Sequence, residues 1–304
     1  MAKKQIKEMN TNQIDSTAKI HPSVILGKFN KIGKNVVIEI LGNNPNTKAV
    51  IGDNNIINDN TRIFIHGEFI VGDWNVFHND MLIMPEDIMR IGHNCWFGQN
   101  TILDGTGGLE IGNGVRIGMY SQIWTHVASG EQIEGCTLFA KRKTIIHDDV
   151  WLVGSCVVSS GIELGRRSTA LINSVITKNT LPDSAYAGSP AKIMENVKFY
   201  LPKTLDEKFD MLKVWIEEFV AMNVKEFKVE LDENELILSN LKENQTVIFT
   251  ITKDKLSDLS QSVFYIFDKT FNKTNSVTER MIYKFLYSNK ARFLPLAHIL
   301  VIKD

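Results

Sequence analysis

His126 closes the string Ile-Trp-Thr-His and is the leading candidate base of the chain. An imidazole can take and return a proton near neutral pH, which few other side chains do unaided. Asp104 is the carboxylate best placed to work with it. Asp104 follows Leu103 directly, and His126 stands three places after Ile123. Trp151 lies between Val150 and Leu152, which cannot face the same way as it does, so the indole is expected to point outward as a flat wall. Cys95 and Cys156 fall on small inward positions and read as core, while Cys136 has no partner signature of a catalytic thiol. His21, His66, His78, His93, His147 and His298 form no pair with metal-ligand spacing on a common strand face, so no metal is expected.

The elements that must position these residues are set by a repeat. Aliphatic or aromatic residues recur every six places: Ile14, Ile20, Leu26, Ile32, Ile38; then Ile51, Ile57, Ile63; Val71, Phe77, Ile83; Ile91, Phe97, Leu103; Ile111, Ile117, Ile123; and Ile146, Leu152, Val158, Leu164, Ala170, Ile176. A period of six fits neither a helix nor a plain alternating strand. It fits a short strand and a sharp turn, three of which close one triangular coil, so that each aliphatic residue stacks on its equivalent in the next coil. First strands are read at Ile14, Ile32, Ile51, Val71, Ile91, Ile111, Ile146 and Leu164. The extra residues near Asn43–Ala49, His66–Ile70, Pro85–Arg90, Gly105–Glu110 and Val127–Ile145 then all leave from one corner, where function is expected. Leu103 and Ile123 are equivalent strands of neighbouring coils. With stacked strands about 4.8 Å apart and a two-place offset, Asp104 and His126 should lie within roughly 8–9 Å, close enough to grip one hydroxyl and its neighbour.

Composition narrows the setting. Lys plus Arg is 34 and Asp plus Glu is 35, a net charge of -1, which lacks the basic signature of a nucleic-acid binder or a polybasic membrane contact. No apolar run reaches the roughly 18 residues of a transmembrane helix. The opening Met-Ala-Lys-Lys-Gln-Ile has no apolar stretch of a secretory signal, and the three cysteines are odd in number and widely spaced. A reducing, cytoplasmic setting is the expectation.

The stretch ILDGTGGLEIGNGVRIGMYSQIWTH, followed in order by DDVWLVGSCVV, SVITKN and AGSPAK, resembles the left-handed parallel β-helix, or hexapeptide-repeat, acyltransferases over residues 14–195. The nearest look is to sugar O-acetyltransferases of the maltose and galactoside type and to those acting on capsule and lipopolysaccharide sugars. The resemblance implies an all-β solenoid, packed as a homotrimer, that moves an acetyl group from acetyl-CoA to a carbohydrate hydroxyl in polysaccharide biosynthesis. It implies His126 as general base and Asp104 as an acceptor-binding carboxylate. It places Trp151 at the active site, against the sugar or the thioester arm. Gly154, Thr177, Lys178 and Lys192 match coenzyme-binding positions, where small residues admit the pantetheine arm and lysines meet phosphates. Two departures stand out. Trp96 replaces an acceptor-binding Asn, which implies a different acceptor. Leu171, Ile172 and Asn173 stand where smaller residues line the coenzyme groove. The alternatives are an N-acetyltransferase of a nucleotide-linked amino sugar, a zinc-dependent hydratase, which would need three converging histidines, and a non-catalytic scaffold. A hydroxyl needs deprotonation more than an amine does, which favours oxygen.

Period six stops after Ile176. Residues 200–304 are expected to form a small α+β domain of unassigned role. Helical spacing runs from Thr204 to Asn223. Strands of a meander are read at Phe227–Leu231, Glu235–Leu238, Val247–Thr252 and Val263–Phe267. A second helix over Ser276–Tyr287 opens with the Ser-Val-Thr-Glu pattern of a capping box. Trp215 and the many Phe and Tyr residues read as core.

Overall fold

A computed structural model describes residues 11–41, 47–128, 130–253 and 260–296. The start of the chain, the centre of the Asn43–Ala49 insertion and His298 lie outside the described residues. The chain divides into two compact units between Tyr200 and Leu201.

The first unit is a three-sided parallel β-helix. Among the described residues its faces are sheets of ten, eight and seven strands, mostly two to four residues long, and successive coils pair in parallel. Short strands suit the repeat, because a hexapeptide leaves only two or three residues extended before the chain must turn. The turns use the left-handed backbone conformation at Asn35, Asn54, Asn60, Asp80, Asn94, Asn100 and Asp149, with Asn and Asp the non-glycine residues that adopt it most readily. The interior is a stack of aliphatic and aromatic side chains from Ile32 to Ile176, nearly all fully buried.

The pairing corrects one feature of the strand count. Ile51 stacks on Leu26, not on Ile32, and Ile57 stacks on Ile32. Ile51 therefore completes the coil begun at Ile32, on the third face, instead of opening a new one. The insertion before it hides the third strand of that coil, so every later label slips by one face. Stacking is unaffected, and Leu103 lies directly on Ile123. The extra residues do leave from a single corner, between the second face (Arg62–Ile65, Leu82–Met84, Ile102–Asp104, Gln122–Ile123) and the third (Phe69–Val71, Met89–Ile91, Leu109–Ile111, Thr144–Ile146). The longest insertion is a two-stranded antiparallel ribbon, His126–Ala128 against Phe139–Lys141, with a 3-10 turn at Gln132–Glu134.

Two ladders of polar side chains run between coils. Asn30, Asn55 and Asn75 are buried, and each carbonyl oxygen accepts the backbone N–H of residue 55, 75 or 95 in the next coil, all at 2.8 Å. In the same turns Asp53, Asp73, His93, Asn113 and Asp148 run the opposite way, each accepting a backbone N–H of the preceding coil, with the His93 Nδ1 accepting from the Asp73 N–H at 2.9 Å. His93 is thus a structural acceptor.

Among its described residues the second unit holds α1 (Leu205–Met222), α2 (Val277–Tyr287) and a six-stranded sheet. Phe209, Leu212, Ile216 and Phe219 are the buried residues of α1, whereas Trp215, read as core, is only half-buried, with the Lys290 Nζ 5.6 Å from its ring centre. The sheet is not a simple meander. Gln245–Thr250 and Ser262–Tyr265 pair in parallel, so the chain crosses over between them. The capping box at α2 is only half formed. Ser276 accepts from the Glu279 N–H, but the buried Glu279 carboxylate turns to Ser262, Thr274 and Asn275. The full box is at α1, between Thr204 and Glu207.

Candidate active site

Asp104 and His126 meet directly. The strand Ile102–Asp104 ends at the insertion corner, and the next coil leaves the second face at Gln122–Ile123 and passes over it through Trp124 and Thr125. The chain thereby brings the His126 Nδ1 to 2.8 Å from the Asp104 Oδ2. The pair lies inside the roughly 8–9 Å expected from the coil spacing and is closer than that spacing alone requires. In the structure the chain bends inward after Ile123, Thr125 is fully buried, and the imidazole leans over the carboxylate.

The carboxylate is fully buried, and both of its oxygens are occupied. Oδ1 accepts from the Thr106 hydroxyl at 2.6 Å and the Thr106 N–H at 3.2 Å. Oδ2 accepts from the Thr125 N–H at 2.7 Å and the Thr125 hydroxyl at 2.8 Å, besides the imidazole. Burial pushes the carboxyl upward, but the hydrogen bonds from Thr106, His126 and Thr125 outweigh it and hold Asp104 below the ordinary carboxylate range. A buried, saturated carboxylate has no open lone-pair site toward an acceptor. The geometry turns the carboxylate to the imidazole and the two threonines and not outward to an acceptor.

The consequence for His126 is a defined tautomer. With Nδ1–H donating to the carboxylate, the unprotonated nitrogen of the neutral ring is Nε2. The side chain is 34% exposed, so Nε2 can meet solvent or a ligand. Trp124 flanks the ring edge-on at 6.1 Å, and its indole N–H donates to Gln122 Oε1 at 3.1 Å. Gly107 lies under this strand. Its N–H donates to the Thr125 hydroxyl at 2.9 Å, and a Cβ there would meet the Thr125 carbonyl oxygen at 2.3 Å. Thr106, Gly107, Trp124 and Thr125 were not singled out from the sequence. The Asp-Gly-Thr-Gly and Trp-Thr-His strings were the available signal, since Asp followed two places on by Thr is a local hydrogen-bonding pattern.

The other candidate residues do not all gather here. Thr177 and Lys178 are exposed and follow Val175–Ile176 at the same corner, two coils beyond Ile123, or about 10 Å along the axis. Trp151 is outward, 43% exposed between fully buried Val150 and Leu152. Its strand lies on the first face, however, opposite the His126 corner, so within one chain it does not stand beside the imidazole. Trp96 lies on that same face, and Arg116 is paired between the two tryptophans. Trp96 also packs edge-on against His78 at 4.9 Å. Lys192 is exposed at the end of the first face, opposite Ala187. Gly154 lies in the turn from the first face to the second, and a Cβ there would meet only the Met119 carbonyl oxygen, at 3.6 Å. The larger residues of the next turn leave Gly154 open: Ile172 is exposed, and the Asn173 N–H donates to the Gly154 oxygen at 3.0 Å. Among the described residues no three His, Cys, Asp or Glu side chains converge as a metal set, and no helix is long and apolar enough to cross a membrane.

No family model matches the chain. Solved structures similar to it include a maltose O-acetyltransferase from Clostridium difficile 630, at 21% identity over 44% of this chain and 70% of that one, with a TM-score of 0.34. A hexapeptide-repeat containing acetyltransferase from Vibrio cholerae O1 biovar eltor, complexed with acetyl coenzyme A, matches at 24% identity over 44% of this chain and 65% of that one, with a TM-score of 0.30. The polySia specific acetyltransferase NeuO matches at 14% identity over 69% of this chain and 99% of that one, with a TM-score of 0.39. At such identities and TM-scores a reaction is not inherited from any of them.

Proposed function

We propose that the β-helix is an acetyl-CoA-dependent O-acetyltransferase acting on a carbohydrate hydroxyl, with His126 as general base. The observation that carries the reading is an exposed imidazole whose tautomer is set by a buried carboxylate, at the corner from which all the insertions leave. The motif order of the sequence agrees with it. His126 Nε2 takes the proton of the acceptor hydroxyl as its oxygen attacks the thioester carbonyl. The Asp104 carboxylate stabilises the imidazolium that forms. When the carbon–sulfur bond breaks, the proton returns from Nε2 to the departing thiolate. The thioester arrives activated, so no protein nucleophile is required. Gly154, Thr177, Lys178 and Lys192 are proposed to hold the coenzyme. Lys178 and Lys192 are exposed and form no ion pair among the described residues, which suits phosphate contacts.

Trp151 and His126 can serve one reaction only if a second copy brings its first face against this corner. This supports a homotrimer in which each site lies between chains. The test is transfer from labelled acetyl-CoA to a panel of glycans and amino sugars by the wild type and His126→Ala. Label in ester linkage, abolished in the variant, is the expected result. Label found only on amines would make the protein an N-acetyltransferase, and transfer undiminished in the variant would remove His126 as the base.

A further inference from the structure

The ribbon that begins at His126 brings a basic segment to the same place. In its antiparallel register His126 stands directly opposite Lys141. Directly opposed residues share one face of the pair, with Cβ atoms about 4.5–5.5 Å apart. Lys141 thus rises from the same face as the imidazole, and Arg142 and Lys143 follow it in sequence.

The three cations are not equivalent. Lys143 is engaged, its Nζ 2.7 Å from Glu110 Oε1, in an alternation that continues through Arg90 to Glu68 across neighbouring coils. That alternation engages Glu110 and Glu68, while Glu163 of the third face lies 2.6 Å from the His147 Nε2. Lys141 and Arg142 are exposed and form no ion pair among the described residues. Asp104 is fully buried with its lone pairs taken by His126 and the two threonines, and it forms no ion pair with either cation.

Arg142 is also held in place. Its N–H donates to the Thr125 carbonyl at 2.9 Å, which ties it to the residue that fixes Asp104. Its stem lies over Gly161, where a Cβ would meet the Arg142 Cβ and Cδ at 2.9 Å, so only a glycine leaves room for it. The chain as a whole is slightly acidic, and this cluster is therefore local and not a by-product of composition.

We infer that the acceptor is an acidic carbohydrate, whose anionic group next to the acetylated hydroxyl is bound by Lys141 and Arg142. The inference rests on the reading of His126 as the base for a sugar hydroxyl. A carboxylate or phosphate on the sugar would lie against the ammonium and the guanidinium, the latter able to bind it bidentately. Trp124, edge-on to the imidazole, offers an apolar face for the sugar ring. Anionic recognition here would exclude neutral sugars, because two exposed cations lose hydration to such a ligand without a partner in return.

The test is binding, measured by calorimetry without any transfer. The probes are uronate-, sialate- and phosphate-bearing oligosaccharides, the carboxyl-reduced forms of the first two, and coenzyme A alone. The expected result is binding of one or more acidic oligosaccharides, with affinity falling as salt rises, and no measurable binding of the reduced forms. The Lys141→Met, Arg142→Gln double variant is expected to lose about 10-fold or more in that affinity, with coenzyme A affinity and thermal midpoint unchanged. Lys141→Arg is expected to retain binding. Equal binding of reduced and acidic forms, no binding of any acidic probe, or an unchanged double variant would each overturn the inference. So would a loss of coenzyme A affinity, which would assign the cations to the donor. Acidic-glycan binding without acetyl transfer would sink the base assignment alone, whereas transfer only to neutral glycans would sink this inference and leave His126 as the base.

Discussion

On the proposed mechanism the Asp104 carboxylate works through His126, and the two residues should therefore fail together. His126→Ala is expected to lower turnover by about 10²–10⁴-fold while leaving acetyl-CoA affinity intact, because the imidazole meets the acceptor. Asp104→Ala removes the acceptor of the Nδ1 proton, and the double variant should be little slower than His126→Ala, since residues acting as a unit lose rate non-additively. Fully additive losses in steady-state kinetics would separate the two. Asp104→Asn adds a pH test. The folded carboxyl lies below its ordinary value. Its contribution to stability is thus complete above the ordinary carboxylate range, near pH 4, and is lost as pH falls toward the folded value. Urea unfolding at pH 7 and pH 3 should show a smaller acid loss in Asp104→Asn than in the wild type, together with lower stability at pH 7. An equal acid loss in both would mean that Asp104 contributes nothing to it.

At the scale of the element, the coil is held by stacking inside and by polar ladders at its turns. Asn75 links three coils: it accepts from the Cys95 N–H and donates to the Gly92 carbonyl at 3.0 Å, while its own N–H reaches Asn55. Asn75→Ala leaves two buried backbone groups without partners and is expected to destabilise the solenoid by on the order of 3 kcal/mol, read as a lower thermal midpoint. Gly154 is the opposite case. A methyl group fits there within the chain, so Gly154→Ala should change stability by less than about 0.5 kcal/mol. If the coenzyme crosses this turn, the same variant raises the KM for acetyl-CoA. An unchanged KM would move the groove elsewhere.

At the scale of the whole molecule, the three-sided first unit presents its candidate residues on different sides. Trp151 is on the first face and His126 on the opposite corner. A between-chain site predicts that His126→Ala and Trp151→Ala preparations, each inactive, regain activity when unfolded and refolded together, because mixed trimers contain some interfaces with both native residues. Light scattering should give the mass of three chains. A stable monomer, or no recovery on mixing, would break the link between the two residues. The second unit has its own core, centred on Phe249, Phe264, Phe271 and Tyr283.

The repeat was legible because a solenoid core is made by nearest neighbours. One aliphatic residue per hexapeptide states both the strand and its stacking partner, and inserted residues mark the corner from which they leave. Trp151 facing outward followed from the same logic, as did the buried positions of Cys95 and Cys156. What a one-dimensional period does not carry is direction after a strand ends. Only the path of residues 123–126 decided that His126 bends back onto Asp104 and that Thr106 and Thr125 saturate the buried carboxylate. The Asn ladder was likewise hidden, since a buried amide is tolerated only when backbone groups of adjacent coils supply its partners, and those partners stand 17 to 25 places away in sequence. The pairing of Lys141 with His126 needed the ribbon register. Fourteen residues of chain return to the site there, and no periodicity spans them.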